Sequence, residues 1–397
     1  MKLARRVSRV KPSPTLAVSA KAKAMKAKGI DVIGFGAGEP DFDTPEHIKQ
    51  AAVNALQQGF TKYTPASGID ELKDAIIEKL KRENNLKYER KQILVSCGAK
   101  HSLYNLYQAV LNPGDEVLIP APYWVSFPDM AILAGAKPVI INTTEKNGFK
   151  ITPAQLRAKL STKTRLVILN SPSNPTGSAY NKKELEALAK VLEKRDLFIA
   201  TDEIYEKIIY DGFKFYSIAS LNKKLREKII VVNGVSKTYS MTGWRIGYAA
   251  GPADVIAAMS NIQSQSTSNP TSFAQKGALE AMTGPQKNVE RMVAEFKRRR
   301  DYVIKTMRAM PSVTCYKPQG AFYVFPDFSA HLGRRFRGKA IKNSVEFCQF
   351  LLNEVKVAAV PGSAFGAEGY LRISYATSMK NLKEGLRRIT HALSILD

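Results

Sequence analysis

Between residues 93 and 251, short apolar runs alternate with amphipathic stretches of helical spacing. Each run is continuously apolar, as in ILVSCG from Ile93 or IIVVNG from Ile229, which is typical of strands buried on both faces. Helical stretches such as 182–194 separate several of them, so the pattern predicts an α/β fold with a mostly parallel sheet of seven strands. The seven runs begin at Ile93, Glu116, Lys137, Arg165, Leu197, Ile229 and Arg245.

The pattern changes after Gly284, which indicates a second unit. Residues 285–310 have the spacing of one long helix that ends before Pro311, and short strand-like segments and a terminal helix from Met379 follow. A chain of 397 residues exceeds one ordinary core, so two domains are expected. The predicted division is a large domain at 45–284 and a smaller α+β domain made of 1–44 and 285–397.

The chain is strongly basic, with 60 Lys and Arg against 35 Asp and Glu and a net charge of +25. Such a surface attracts anions of any size. The cations are spread along the chain, and the densest cluster, at 297–300, is expected to form a solvated helix face. Neither a basic segment interleaved with aromatic residues nor a membrane-length apolar run occurs, so no nucleic-acid or membrane partner is predicted.

The cysteines and histidines argue against metal and disulfide chemistry. Cys97, Cys315 and Cys348 lie far apart, and the four histidines are dispersed without ligand spacing. Neither a disulfide framework nor a metal site is predicted, and a cytoplasmic location is expected.

Unusual polar residues follow four of the seven apolar runs. In an open α/β sheet, ligands bind beyond the carboxyl ends of the strands, so these residues are expected to converge. One of the four segments passes through Gly98-Ala99 into a helix, whose first amides can bind phosphate. The segments are SCGAK from Ser96, SPSNPTG from Ser171, TDEIY from Thr201, and Ser236-Lys237 with Arg245 eight residues on.

Each segment alone also has an ordinary structural interpretation, as a turn, a helix cap or a surface pair. Together they favour chemistry at one rim of the sheet. A metal site lacks ligands, a serine nucleophile lacks a histidine base, and the GxxxxGK[ST] motif is absent. A cofactor with a phosphate, a ring nitrogen that pairs with a carboxylate and an aldehyde that reacts with a lysine fits the set. That cofactor is pyridoxal 5′-phosphate.

The motifs SPSNPTG, TDEIYE, GVSKTYSMTGWRIGY, GEPDFDTP and YLRISYA together resemble the class I aminotransferases of the fold type I pyridoxal-phosphate superfamily. The resemblance runs from Val10 to the C-terminus and is closest to the bacterial subgroup Ib aspartate aminotransferases, some of which also transaminate prephenate. It implies ping-pong transamination between L-aspartate or L-glutamate and 2-oxoglutarate or oxaloacetate, in a homodimer with shared active sites. It leaves open whether prephenate is also converted to arogenate.

The resemblance implies roles around the cofactor. Lys237 matches the Schiff-base lysine, and Asp202 matches the carboxylate that keeps the ring nitrogen protonated. Tyr205 and Asn174 match the pair at the ring's phenolic oxygen, and Trp124 matches the aromatic that stacks on the ring. Asn174 and Trp124 are expected to touch substrate as well. The residues that match phosphate contacts are Gly98, Ala99, Ser236, Arg245 and, from the neighbouring subunit, Tyr63.

The substrate assignment also follows from the resemblance. Arg372 matches the arginine that clamps the α-carboxylate, for which a bidentate guanidinium is suited, and Gly38 matches the backbone beside it. Lys100, counted with the cofactor-binding set too, and Thr15 match the residues that meet the second carboxylate. Lys11 lies where prephenate-accepting members carry a lysine. A dicarboxylic substrate is therefore favoured over an aromatic or aliphatic one.

Two alternatives stay open. A pyridoxal-phosphate enzyme of this fold with another amino-acid substrate, or with β-elimination or decarboxylation activity, would share every cofactor residue. A basic nucleic-acid-binding protein on this fold would account for the positive charge alone.

Overall fold

The computed structural model describes residues 3–10, 12 and 14–397 of the chain. Among them, the helices are α1 (Arg5–Arg9), α2 (Pro14–Ala27), α3 (Glu46–Gln57), α4 (Asp70–Asn84), α5 (Ala99–Val110), α6 (Ser126–Leu133), α7 (Pro153–Lys159), α8 (Lys182–Leu192), α9 (Ile218–Leu221), α10 (Ala253–Ser264), α11 (Ser272–Thr283), α12 (Lys287–Arg308), α13 (Ser344–Glu354) and α14 (Met379–Ser394). The strands are β1 (Ile33–Gly34), β2 (Ile93–Ser96), β3 (Glu116–Ala121), β4 (Lys137–Asn142), β5 (Thr164–Asn170), β6 (Phe198–Asp202), β7 (Ile229–Gly234), β8 (Gly247–Ala250), β9 (Tyr323–Val324), β10 (Arg335–Phe336), β11 (Lys339–Ala340), β12 (Val357–Ala358), β13 (Val360–Pro361) and β14 (Leu371–Ser374).

The central sheet confirms the predicted α/β class. Its seven strands lie in the order β2-β8-β7-β6-β5-β3-β4, and each of them falls in one of the seven apolar runs. Neighbours from β7 to β4 are parallel, whereas β8 is antiparallel to both β2 and β7. Every residue of β2, β7 and β8 is buried, which is why these runs are continuously apolar rather than alternating.

A second group of strands joins the two ends of the chain. β1 pairs in parallel with β12, so the N-terminal segment lies beside the C-terminal part. β13, β14 and β9 form an antiparallel sheet. The apolar run from Val357 is split between two sheets, because the chain changes pairing partner at Ala359. The domain boundaries after residues 44 and 284 stay a prediction.

The long helices lie where the sequence pattern places them. The predicted helix 182–194 is α8, which begins with a capping box: the Asn181 side chain accepts from the Glu184 amide at 3.0 Å, and the Glu184 carboxylate accepts from the Asn181 amide at 2.8 Å. The predicted helix 285–310 is α12. In the described part of the chain, no helix is long and apolar enough to cross a membrane.

The basic cluster at 297–300 is only partly solvated, so the prediction of a solvated face is wrong for half of it. Arg300 has 0% of its surface exposed and Arg299 has 6%, whereas Lys297 and Arg298 are exposed. Successive residues of an α-helix point about 100° apart, so four adjacent charges cannot share one face. Two of them therefore face the interior and need partners there.

We expect Arg300→Ala to destabilise the protein. The Arg300 guanidinium donates to the carboxylates of Asp211 and Asp301 at 2.8 and 2.6 Å and to the Pro318 carbonyl at 3.0 Å. Removing one member of a buried pair costs about 3–5 kcal/mol, and partial exposure of the two carboxylates reduces this to about 2–4 kcal/mol.

The measurement is the midpoint of thermal unfolding, which should fall by several degrees in Arg300→Ala. Arg298→Ala on the same helix is the matched control, because the Arg298 side chain is 62% exposed and its loss should change stability by no more than about 0.5 kcal/mol. Equal losses in the two variants would contradict a structural role for the buried arginine.

Candidate active site

A cavity of about 500 Å³ opens beyond the carboxyl ends of β5, β6 and β7, where it also meets the start of α5 and the segment after β1. Its wall includes residues from all four polar segments that follow apolar runs. The predicted site residues that line it are Thr15, Gly38, Ala99, Lys100, Trp124, Asn174, Asp202, Tyr205, Ser236, Lys237, Arg245 and Arg372.

Lys237 follows β7 and places its amine inside the cavity. Nζ donates to the Gly38 carbonyl at 2.5 Å. Burial lowers the pKa of Lys237 to about 8; the Glu39 carboxylate opposes the fall, and Arg245 adds to it. An amine with such a pKa is partly unprotonated near neutral pH, and that form is both the nucleophile towards an aldehyde and a proton acceptor.

Asp202 ends β6 and is only 6% exposed. One of its oxygens accepts from the Ile204 amide at 3.2 Å. Burial raises the pKa of Asp202 to about 7, and the Ile204 amide and the Lys237 charge limit the rise. A buried carboxylate of this kind is stabilised in its charged form by a cationic partner. The position therefore fits a protonated ring nitrogen.

Arg372, on β14, is buried but not fully paired. Nη1 donates to the Asn174 side-chain oxygen at 3.0 Å, and Nη2 donates to the Gly36 carbonyl at 2.7 Å. Its Nε is buried without a hydrogen-bond partner among the described residues. A buried guanidinium with an unused donor fits a carboxylate, which supplies the missing acceptor and the missing negative charge.

Tyr205 lies next to Asp202 in the cavity wall and pairs with a second tyrosine. Its hydroxyl is 2.9 Å from that of Tyr323, and both side chains are buried. Burial raises the pKa of both hydroxyls, so both are neutral at physiological pH. Tyr205 can therefore offer a hydrogen bond to a ligand while it accepts one from its neighbour.

The loop before α5 is shaped around Arg245. That guanidinium donates to two backbone carbonyls, at 2.8 and 3.3 Å. Gly98 has φ +92°, and a Cβ there would lie 2.5 Å from Arg245 Nη2, so glycine is required for this approach. The Gly98 amide donates to the Ser96 carbonyl at 2.7 Å. The amides available to an anion therefore begin at Ala99, in the first turn of the helix.

Lys100 adds a positive charge to the cavity wall. Its Nζ lies 4.8 Å from the centroid of the Trp124 ring. Partial burial lowers the pKa of Lys100, and the charge of Arg245 adds to the effect. Two cations that repel each other in one cavity favour an anionic ligand there.

Two of the predicted site residues that the structure describes, Gly98 and Tyr63, do not line the cavity. Tyr63 is 92% exposed on the surface. Lys11 lies outside the described residues.

Sequence reasoning missed three residues that take part in the site: Gly36, Glu39 and Tyr323. Glu39 lines the cavity and accepts from the Thr242 hydroxyl at 2.7 Å. Gly36 and Glu39 are close to Gly38 in the sequence, and this proximity could have identified them. Tyr323 carries no such signal, since a tyrosine in the apolar segment GAFYVF is typical of core. In the described part of the chain, no cluster of His, Cys, Asp and Glu could hold a metal ion.

Comparison with known proteins agrees with this geometry. The family model "Aminotransferase class I and II" matches residues 30–389. An aspartate aminotransferase of Bacillus subtilis (strain 168) is 51% identical over 389 residues, which cover 98% of each chain. An aspartate/prephenate aminotransferase of Nitrosomonas europaea is 51% identical over 397 residues, covering 99% of this chain and all of the other.

Solved structures are similar over the same length. The aspartate aminotransferase from Rhizobium meliloti has a TM-score of 0.97 and 47% identity, with 100% of both chains covered. The aspartate aminotransferase from Thermus thermophilus with maleate has a TM-score of 0.93 and 43% identity, covering 99% of this chain and 100% of the other.

Proposed function

The chain belongs to the class I and II aminotransferases, which makes it a pyridoxal-phosphate-dependent enzyme, and we propose that its substrates are L-aspartate or L-glutamate with 2-oxoglutarate or oxaloacetate as acceptor. The observation that carries the proposal is the meeting of three groups in one cavity. These are the low-pKa amine of Lys237, the buried carboxylate of Asp202 and the incompletely paired guanidinium of Arg372. Prephenate is a further candidate substrate, since relatives of equal similarity carry it in their names.

The residues at the cavity wall fit the two polar ends of the cofactor. Asp202 would hold the ring nitrogen, while Arg245, Ser236 and the amides from Ala99 would hold the phosphate. Pyridoxal phosphate supplies an aldehyde that reacts with amines and a ring that withdraws electrons from the substrate's α-carbon. Lys237 lines the same cavity and would be the amine for that aldehyde.

Lys237 then acts as the proton carrier. With cofactor and substrate bound, the unprotonated Nζ would take the proton from the substrate's α-carbon and return it as a general acid. The Gly38 carbonyl, 2.5 Å away, holds Nζ at one wall of the cavity. The lowered pKa of about 8 leaves roughly a tenth of the amine unprotonated at pH 7, against less than about a thousandth at the ordinary value of 10.5, and the unprotonated form is the one that a base requires.

Capture of pyridoxal phosphate by the cofactor-free chain should accelerate as pH rises through about 8. The neutral amine of Lys237 is the nucleophile, so the rate should fall about tenfold per pH unit below that value and level off above it. Stopped-flow absorbance measures the rate of capture at each pH. Glu39→Gln should move the midpoint to lower pH, because Glu39 raises the Lys237 pKa. A midpoint near 10.5, the ordinary lysine value, would contradict the assignment.

Arg372 and Lys100 would divide the recognition of a dicarboxylate. The unused Nε of Arg372 suits the α-carboxylate, which every amino acid carries. Lys100 lies in the same cavity beside Trp124 and suits a second carboxylate. Thr15 lines the cavity as well.

Lys100→Ala should therefore reduce kcat/KM for aspartate by about ten- to a hundredfold, the effect of one charge-assisted contact of about 1.5–3 kcal/mol. The value for alanine should hardly change. Arg372→Ala should instead weaken both donors alike. If Lys100→Ala affects aspartate and alanine equally, Lys100 has no part in recognising the second carboxylate.

We also infer a homodimer in which Tyr63 reaches the partner's site. Tyr63 is 92% exposed, and Val53 and Leu56 on the preceding helix α3 are 41% and 44% exposed. Exposed aromatic and aliphatic side chains of this kind are typical of protein interfaces.

A panel of donors and acceptors tests the proposed function. We expect the highest kcat/KM for aspartate and glutamate and parallel double-reciprocal plots, the sign of a ping-pong reaction. Steady release of ammonia from one amino acid without an acceptor would indicate β-elimination instead.

A further inference from the structure

Tyr323 lies between two residues of the proposed site. It is fully buried on β9, opposite Ser374 of β14. Residues two apart on a strand share a face, so Tyr323 is the diagonal neighbour of Arg372, whose guanidinium carbon lies 4.6 Å from the ring centroid. Its hydroxyl is 2.9 Å from that of Tyr205. One side chain thus contacts both the arginine proposed for the substrate and the tyrosine proposed for the cofactor.

The two hydroxyls share one hydrogen bond, and its direction matters. A tyrosine hydroxyl has one proton to donate. If Tyr323 donates to Tyr205, the Tyr205 hydroxyl proton stays available for a hydrogen bond to a ligand. If Tyr205 donates to Tyr323 instead, that proton is no longer available. Burial raises the pKa of both hydroxyls, and the Arg372 charge acts against the rise at both, most directly at Tyr323, because the guanidinium lies over that ring. The cation over its ring therefore makes Tyr323 the better donor of the pair.

We propose that Tyr323 is a positioning residue whose hydroxyl donates a hydrogen bond to Tyr205. Through this bond, the binding of a carboxylate to Arg372 changes the strength of the hydrogen bond that Tyr205 donates to the cofactor's phenolic oxygen. The inference rests on the proposed function. A carboxylate on Arg372 neutralises the cation over the ring, so Tyr323 becomes a weaker donor. Tyr205 then becomes a weaker donor in turn, because hydrogen bonds in a chain polarise one another.

The chain contains a second buried tyrosine pair that serves as a matched control. The Tyr375 hydroxyl lies 3.3 Å from that of Tyr210 and donates to the Ala321 carbonyl at 3.0 Å. Tyr375 is as buried as Tyr323 and belongs to the same apolar cluster. Neither Tyr375 nor its partners Tyr210 and Ala321 line the cavity, so Tyr375→Phe removes a similar hydroxyl without touching the proposed coupling.

The test is the pH midpoint of the visible absorption band of the cofactor-loaded enzyme, with and without maleate, a dicarboxylate that carries no amino group. In Tyr323→Phe we expect the midpoint without maleate to rise by about half a pH unit, since Tyr205 donates less strongly. Maleate should raise the midpoint of the wild type, and this rise should shrink to less than half in Tyr323→Phe. The Kd of maleate, measured by calorimetry, should change less than about threefold because Arg372 remains. Tyr375→Phe should behave as the wild type.

A Tyr323→Phe variant with the wild-type midpoint and the wild-type response to maleate would overturn the proposal. In a protein that already carries Tyr205→Phe, adding Tyr323→Phe should not change the pH midpoint. A change as large as the one in the protein with Tyr205 intact would also overturn the proposal. Should Tyr323→Phe fail to fold, 3-fluorotyrosine at position 323 keeps the ring size and strengthens the donor. The midpoint should then fall, and no movement would equally overturn the coupling.

Failure of the proposed function would look different. The wild type itself would then lack the visible band, or would not pass the amino group of aspartate to an oxo acid.

Discussion

Lys237→Ala should lower transaminase turnover by several orders of magnitude, because one substitution removes both the amine that reacts with the cofactor and the carrier of the α-proton. Cofactor should still bind through Asp202, Arg245 and the amides at the start of α5. The measurement combines kcat for aspartate with equilibrium dialysis of pyridoxal phosphate.

Lys190→Ala, at an exposed lysine of α8, is the control for loss of a positive charge and should leave turnover unchanged. If Lys237→Ala keeps more than roughly a tenth of wild-type turnover while Lys190→Ala is normal, the loss is too small for a nucleophile and base, and the assignment of Lys237 is wrong.

Asp202→Asn should slow the half-reaction with aspartate by about 10²–10³-fold, the usual scale for removing one electrostatic contact to developing charge. The side chain keeps its shape and loses the negative charge that would hold a ring nitrogen protonated. Cofactor affinity should fall only modestly, because the phosphate contacts remain. Rapid-mixing absorbance with a single addition of aspartate measures the rate.

Glu203→Gln is the matched control for this prediction. Glu203 adjoins Asp202, but its carboxyl accepts from the hydroxyls of Thr201 and Ser217 at 3.0 and 2.6 Å, not from groups at the cavity. Burial raises its pKa to about 8, so at pH 7 it is mostly neutral already. Glu203→Gln should therefore leave the rate nearly unchanged. Equal rates for wild type and Asp202→Asn would mean that Asp202 has only a structural role.

Much of the fold was predictable because hydrophobicity reports burial directly. Strands such as β7 are buried on both faces, and that state leaves a continuous apolar run in the sequence. The segment from Val357 was less predictable, since the change of pairing partner at Ala359 depends on residues far along the chain. The buried Arg300 was missed for a similar reason: its partner Asp211 is distant in sequence.

The site was predictable wherever chemistry follows a strand of the central sheet. Asp202 is the last residue of β6 and Lys237 follows β7 by three residues, and parallel strands bring their ends to one edge. Tyr205 lies in the segment TDEIY, which the same pattern placed at this edge, whereas Arg372 was placed by resemblance to a family. Tyr323 was missed because its role comes from two long-range contacts, and nothing in the sequence around it distinguishes it from an ordinary core tyrosine.

The central claim, that the chain transfers an amino group through a bound cofactor, is tested most directly by one turnover without an acceptor. Loaded enzyme mixed with excess L-aspartate should release one equivalent of oxaloacetate per active site, without ammonia, and lose its visible band. After the excess aspartate has been removed, added 2-oxoglutarate should restore the band and yield one equivalent of glutamate per active site. Continued release of oxo acid with ammonia, or a band that does not respond to aspartate, would contradict the account.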